Sequence, residues 1–343
     1  MKEIKVGLVG AGRMGSFHGT SIARKVYGAS LVAIADPVPG AAERLASELG
    51  AAKTYTSPEE MFHDPEVDAV VIAAPARSHA KLVIAAAKAG KAVFCEKPMA
   101  VTLEEADAAI AAAKEANVAL QVGFNRRFAS GFKSARDNIV EGRIGTPQLL
   151  RSLTRDPGLG DPTPIPEWTI FLETLIHDFD TLLYLNPGAK PTEVYAVADA
   201  LVRPDFKDKG LLDTAVVTIK FDNGAIATAE ANFQAVYGYD VRGEVFGSAG
   251  MVTAGSVQQT NMTRYTADGI STDTYRKDTE LLHDAYVAEL TSFVDSVRSG
   301  NKPDVTGEDA RNALAIALAC IKSVQARQPV KLEEVEMAKS VQS

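Results

Sequence analysis

Buried-type apolar runs and amphipathic stretches alternate through the first third of the chain. "IKVGLVGAG" reads as a buried strand that ends in glycines, and "MGSFHGTSIARKV" as a helix. "ASLVAIADP" is a second strand, and "GAAERLASELG" a second helix that Gly50 can cap. "VDAVVIAAP" is nearly continuous in apolar residues, as a strand covered on both faces must be. "SHAKLVIAAAKAG" (helix), "KAVFCEKP" (strand), "TLEEADAAIAAAKEAN" (helix, with Thr102 as cap and Glu105 three residues on) and "ALQVGFNRR" (strand) continue the rhythm. Strands alternating with helices give right-handed crossovers and an open, doubly wound parallel sheet of the Rossmann type.

After about residue 124 the period changes. "TAVVTIKFDNGAIATAEANF" alternates apolar and polar positions around Asn223-Gly224, a hairpin signal suited to a type I′ turn. More alternation follows in "YDVRGEVFGSAGMVTAG", and two amphipathic helices, "DAYVAELTSFVDSVRSG" and "GEDARNALAIALACIKSVQAR", close the chain. The pattern predicts an α/β protein of two domains. Residues 1–123 form a Rossmann domain. Residues 124–343 form an α+β domain with a large, mostly antiparallel, open-faced sheet, and its last helices can pack back on the first domain. Either Ala215, Val217, Ile219 and Phe221 or Val216 and Thr218 face outward, depending on register. An uncovered apolar sheet face invites a second subunit.

Composition narrows the function. The chain has 343 residues, 46% hydrophobic and 23% charged, with a formal net charge of −8. No basic run interleaved with aromatics points to nucleic acid, and no apolar stretch is long enough to span a bilayer. Two cysteines, Cys95 and Cys320, make neither a disulfide framework nor a zinc spacing. With no signal-peptide pattern before the first strand, the expected location is the cytoplasm.

Gly10, Gly12 and Gly15 form G-x-G-x-x-G at the end of a strand and the start of a helix, the context that motif needs. Such a loop, with Arg13 and Met14 inside it, brings backbone N–H groups up to a pyrophosphate. Asp36 ends the next strand, 21 positions beyond Gly15, where an acid accepts hydrogen bonds from the adenosine ribose. It would repel a 2′-phosphate and no arginine directly follows it, so NAD is expected rather than NADP. Taken alone, the same residues could simply turn the chain and cap a helix.

"LETLIHDFDTL" places Glu173, His177 and Asp180 at spacings of four and three, one face if the stretch is α-helical. "CEKPM" puts Glu96-Lys97-Pro98 at the carboxyl end of a sheet strand, where ligands bind in such sheets. The glycine-rich start, "AAPARSH", "EKP", "GFNRRF" and the histidine-bearing helix come in an order that resembles the glucose-fructose oxidoreductase / inositol dehydrogenase / rhizopine catabolism (Gfo/Idh/MocA) family. "RDP", "TLIHDFD" and "YGYDVRGEVFGSAG" look most like its inositol 2-dehydrogenase branch.

That resemblance implies NAD-dependent oxidation of a cyclic polyol, myo-inositol to 2-keto-myo-inositol, in a homotetramer. It implies catalytic roles for Lys97 and His177, a cofactor set extended by Pro75, His79 and Glu96, and a substrate side that includes Asn125, Arg127, Asp156, Tyr239 and Tyr286. Many relatives carry an aspartate four residues before the histidine and glycines ahead of it. Here the lead-in is "TIFLE", and Glu173 stands in the aspartate's place. Glu173 then either pairs with His177 or reaches the polyol. A neutral histidine suits removal of a hydroxyl proton near neutral pH, and a lysine beside the reacting oxygen stabilises its developing charge. No metal is expected, since hydride transfer to NAD does not require one. Another sugar or inositol isomer would keep this chemistry, and a catalytically silent NAD-binding regulator could share the fold.

Overall fold

The computed structural model describes residues 3–336. The chain forms two compact units. One runs to Asn125 and takes back Asp284–Leu314; the other holds Arg126–His283 and, of the described residues, 315–336. No single cut of the chain separates the two units, because the segment Asp284–Leu314 belongs with the first.

The first unit alternates β1 (Ile4–Val9), α1 (Arg13–Arg24), β2 (Ala29–Ala35), α2 (Ala41–Leu49), β3 (Lys53–Tyr55), α3 (Pro58–Phe62), β4 (Ala69–Ile72), α4 (Ala76–Lys88), β5 (Ala92–Cys95), α5 (Leu103–Glu115) and β6 (Leu120–Val122). All pairings are parallel, in the order β3-β2-β1-β4-β5-β6. The order reverses between β1 and β4, and that switch point opens the crevice in which such sheets bind ligands. Every residue of β4 and β5 is buried. Val6, Leu8, Ile34, Val71 and Phe94 pack with Leu290, Phe293 and Val294 from the returning segment. The pattern did not announce β3 and α3: three and five residues are too few to show a period. Gly50 ends α2 at φ 80°. Thr102 caps α5, accepting the Glu105 N–H at 3.2 Å, while Glu105 accepts from Val101.

The second unit contains α6 (Ser130–Val140), β7 (Pro147–Arg155), a π-helical turn (Ile170–Thr174) running into α7 (Leu175–Tyr184), β8 (Pro191–Asp199), β9 (Thr214–Phe221), β10 (Ile226–Asn232), β11 (Asp240–Gly247), β12 (Gly250–Ala254), the hairpin β13 (Gln258–Thr266) and β14 (Gly269–Thr274), and α8 (Asp278–Leu281). Next come α9 (His283–Ser299), α10 (Gly307–Ala326), β15 (Val330–Lys331) and α11 (Leu332–Glu336). Seven strands form one sheet, β12-β11-β7-β10-β9-β8-β15, antiparallel except at β7–β10.

The register left open by the sequence is settled here. Ala215, Val217, Ile219 and Phe221 are buried and Val216 is exposed. With α7 packed on β7 and β10, the other face shows Leu149, Tyr195, Val197, Ile226, Phe246 and Met251 to solvent.

The Asn223-Gly224 turn differs from the expected type I′. Gly224 has φ 87°, Asn223 is not among the positive-φ residues, and the Phe221 N–H donates to the Ala225 carbonyl. The loop is therefore three residues long, a turn closed by one left-handed glycine. Asn223 contributes a side chain instead, accepting the Ala225 N–H at 3.1 Å.

Candidate active site

The glycine loop is built by contact and by space. Gly10 has φ 97°, and a Cβ there would lie 2.5 Å from the Ala73 carbonyl; at Gly15 it would lie 1.8 Å from the Gly10 carbonyl. At Gly12 a Cβ would meet nothing within 4 Å. The outer two glycines thus close the turn, and the middle one, at the N-cap of α1, leaves open room beside the helix N-terminus. Asp36 ties this loop to the end of β2: Oδ2 accepts the Ala11 N–H at 2.7 Å and Oδ1 the Val38 N–H at 2.8 Å. Each carboxylate oxygen keeps a further lone pair for a ribose hydroxyl. Open space at Gly12, a helix N-terminus without a side-chain cap and an oriented acid fit NAD.

At the end of β5, Glu96 is buried and its Oε2 accepts the Lys97 N–H at 3.1 Å. Its Oε1 lies 2.6 Å from His18 Nε2. Burial raises the Glu96 carboxyl, but the His18 hydrogen bond and the positive potentials of His18, Lys97 and His79 outweigh that and hold it below the usual range. Burial pushes the neighbouring Cys95 thiol well up, and Cys95 is free. His79 is buried with Nδ1 2.8 Å from the Pro98 carbonyl and Nε2 2.7 Å from that of Ala74. It therefore links the Glu96–Pro98 turn to the loop after β4, where Pro75 precedes α4. Asn125, the last residue of the first unit, is buried, and its Oδ1 has no hydrogen-bond partner among the described residues.

In the second unit His177 and Glu173 are half-buried. Glu173 lies in the π turn and His177 in the first turn of α7. The π turn widens the helix, so four residues no longer mean one α-helical face. Asp180 is not part of an exposed face either: it is buried and paired with Arg127, Nη2 to Oδ1 2.6 Å. Asp178 is fully buried and accepts from Arg126 (2.8 Å), Ser152 (2.6 Å) and Thr154 (2.7 Å). These pairs bind α7 to β7 and to the turn Asn125–Phe128, and so fix the backbone that carries His177. Tyr239 hydrogen-bonds Asp156; burial first, then the Asp156 charge, raise its hydroxyl far above the usual value.

Tyr286 belongs to the first unit, buried with its ring 5.1 Å from Phe17 and 5.8 Å from His18. Sequence reasoning passed over His18 and Glu289. The signal for Glu289 is an acid at a position where α9 is otherwise apolar, between Tyr286 and Phe293.

A nucleotide loop at the switch point of a parallel six-stranded sheet, an acid for the ribose, and a mixed-sheet unit bearing a histidine on a distorted helix together define a two-unit NAD-dependent oxidoreductase. Residues 4–124 match the family described as "Oxidoreductase family, NAD-binding Rossmann fold", and residues 136–332 its "C-terminal alpha/beta domain". The chain belongs to the Gfo/Idh/MocA oxidoreductase family. It is 39% identical to myo-inositol 2-dehydrogenase of Thermotoga maritima, over 97% of this chain and 99% of that one. It is 37% identical to the NAD⁺-dependent scyllo-inositol 2-dehydrogenase of Bacillus subtilis, over 96% and 97%. The crystal structure of Lactobacillus casei scyllo-inositol dehydrogenase with bound NAD(H) and scyllo-inositol superposes with a TM-score of 0.92 at 29% identity, covering 97% and 100%.

Proposed function

We propose that this protein is an inositol 2-dehydrogenase that oxidises one secondary hydroxyl of myo-inositol to the ketone, with NAD as co-substrate. The observation that carries this reading is likeness along almost the full chain to a myo-inositol 2-dehydrogenase, and nearly as much to a scyllo-inositol 2-dehydrogenase, in a sequence that keeps both Lys97 and His177. NAD supplies the hydride acceptor. His177 takes the hydroxyl proton at its ring nitrogen, and Lys97 donates a hydrogen bond to the same oxygen as charge develops on it. Glu173 orients His177 or binds a second hydroxyl, and Asn125 and the Asp156–Tyr239 pair recognise the rest of the ring.

The working form is a homotetramer. Its support is the outward face of the large sheet, where Val197 and Val216 are 56% and 50% exposed beside Leu149 and Phe246; a second copy of the same face would bury them. Two free, buried cysteines suit a reducing cytoplasm, and no described helix is long and apolar enough to cross a membrane. Initial rates of NADH formation at 340 nm across myo-inositol, scyllo-inositol and common aldoses test the reading. It predicts the highest kcat/KM for an inositol. An aldose preferred over every inositol would overturn the substrate, and NAD binding without turnover on any polyol would make the chain a regulator.

A further inference from the structure

Behind the Glu96-Lys97 turn lies a buried polar cluster that the reaction as described does not use. Glu289, on the core-facing side of α9, has no exposed surface, and neither carboxyl oxygen has a hydrogen-bond partner among the described residues. It shares its space with His18 of α1 and Glu96 at the end of β5. One ligand-type atom from each lies within 4.8 Å of the others. His18 is equally buried; its Nε2 is taken by Glu96, and its Nδ1 has no hydrogen-bond partner among the described residues. Gln121 of β6 spends its Nε2 on the Glu289 backbone carbonyl at 2.8 Å, which fixes the helix at this point.

An ionised, unpaired carboxylate in such a place is costly, so it takes up a proton instead. The charged groups around it leave the same answer. Glu96 faces it as a carboxylate and already holds His18, while Lys97 and His79 act on Glu96. Burial, and then the Glu96 charge, push the Glu289 carboxyl well above the usual range. A metal ion is the competing occupant. The 2.6 Å between His18 Nε2 and Glu96 Oε1 is a hydrogen-bond distance. Two ligands on one tetrahedral ion with bonds of about 2.0–2.1 Å stand about 3.3 Å apart.

We propose that Glu289 is a positioning residue for Lys97, working as a neutral acid through the His18–Glu96 pair. Its carboxyl is a buried group with an oxygen within 4.8 Å of a nitrogen or oxygen atom of each member of that pair. With it in place, His18 stays committed to Glu96, and Glu96 to the Lys97 amide. This rests on the role given to Lys97 above, but two of its three tests need no turnover.

The first test is thermal melting of wild type and Glu289→Gln across about pH 5 to 8. Above the ordinary carboxyl range the unfolded chain releases this proton and the native protein keeps it, so the wild type loses stability as pH rises. The variant has no such proton, so its Tm should gain steadily on the wild type with pH. A Tm difference that stays flat, or a stoichiometric divalent metal in the purified protein, overturns the proposal. The second test is hydrogen exchange at the peptide containing Lys97, which should quicken in Glu289→Leu and not in Glu289→Gln; equal protection in both overturns it. The third is inositol oxidation. Glu289→Leu should lower kcat by up to about 100-fold, the scale of a misplaced reacting group, with KM and NAD affinity held, and Glu289→Gln should restore kcat. If the wild type oxidises no inositol, the functional reading fails while the first two tests still decide the state and reach of Glu289.

Discussion

Arg127 grips Asp180 from two sides, with Nη2 2.6 Å from Oδ1 and Nε 3.0 Å from Oδ2. Their side chains are 11% and 1% exposed. The guanidinium also lies over the Tyr184 ring at 5.2 Å. Removing one partner of a buried pair leaves the other charge uncompensated. Asp180→Ala should therefore destabilise the protein by about 3–5 kcal/mol, measured by urea denaturation. A loss within the range of an exposed pair, about 1 kcal/mol or less, would show that this contact does not hold α7.

Asp36 accepts a backbone N–H from the glycine loop at 2.7 Å, which fixes its charge at the place proposed for the adenosine ribose. NAD should be strongly preferred over NADP by kcat/KM. Asp36→Ser should narrow that preference by removing repulsion of the 2′-phosphate. Equal wild-type efficiency with the two cofactors would contradict the assignment.

Glu173 sits in the π turn, one helical turn ahead of His177. If it orients the histidine, Glu173→Gln lowers kcat and displaces the pH–rate profile with KM nearly unchanged. If it binds the polyol, KM rises and the preference between inositol isomers changes. Wild-type values on all three counts would leave Glu173 with neither role.

The exposed sheet face predicts assembly. Size exclusion with light scattering should give a tetramer, and Val197→Glu with Val216→Glu should split it, because charge buried at an apolar interface is costly. A wild-type monomer at micromolar concentration would contradict the reading of this face.

Much of the first unit was legible because its strands are buried on both faces and its helices are long. β4 and β5 read as unbroken apolar runs, and the loop glycines lie where backbone contacts at Gly10 and Gly15 leave no room for a side chain. In the second unit, alternation gave β9 and β10 but not the side of each strand, which depends on where α7 packs. What stayed hidden was non-local. Nothing in "DAYVAEL" says that Tyr286 and Glu289 return to the first unit and meet His18, more than 260 residues earlier. The π turn was equally invisible, because residue spacing alone presumes an α-helix. Asp180, which spacing put beside His177, is claimed by an arginine 53 residues away in sequence.

If His177 removes the hydroxyl proton, the loss shows in the kcat of His177→Ala with myo-inositol at saturating NAD, with NAD affinity measured on the same preparation by calorimetry. The kcat should fall by about 10²–10⁴-fold and NAD binding should stay as in the wild type, because the nucleotide loop lies in the first unit. Combined with Lys97→Ala, the loss should be smaller than the product of the two single losses, since both groups serve one oxygen. A His177→Ala enzyme that keeps the wild-type kcat would contradict the account.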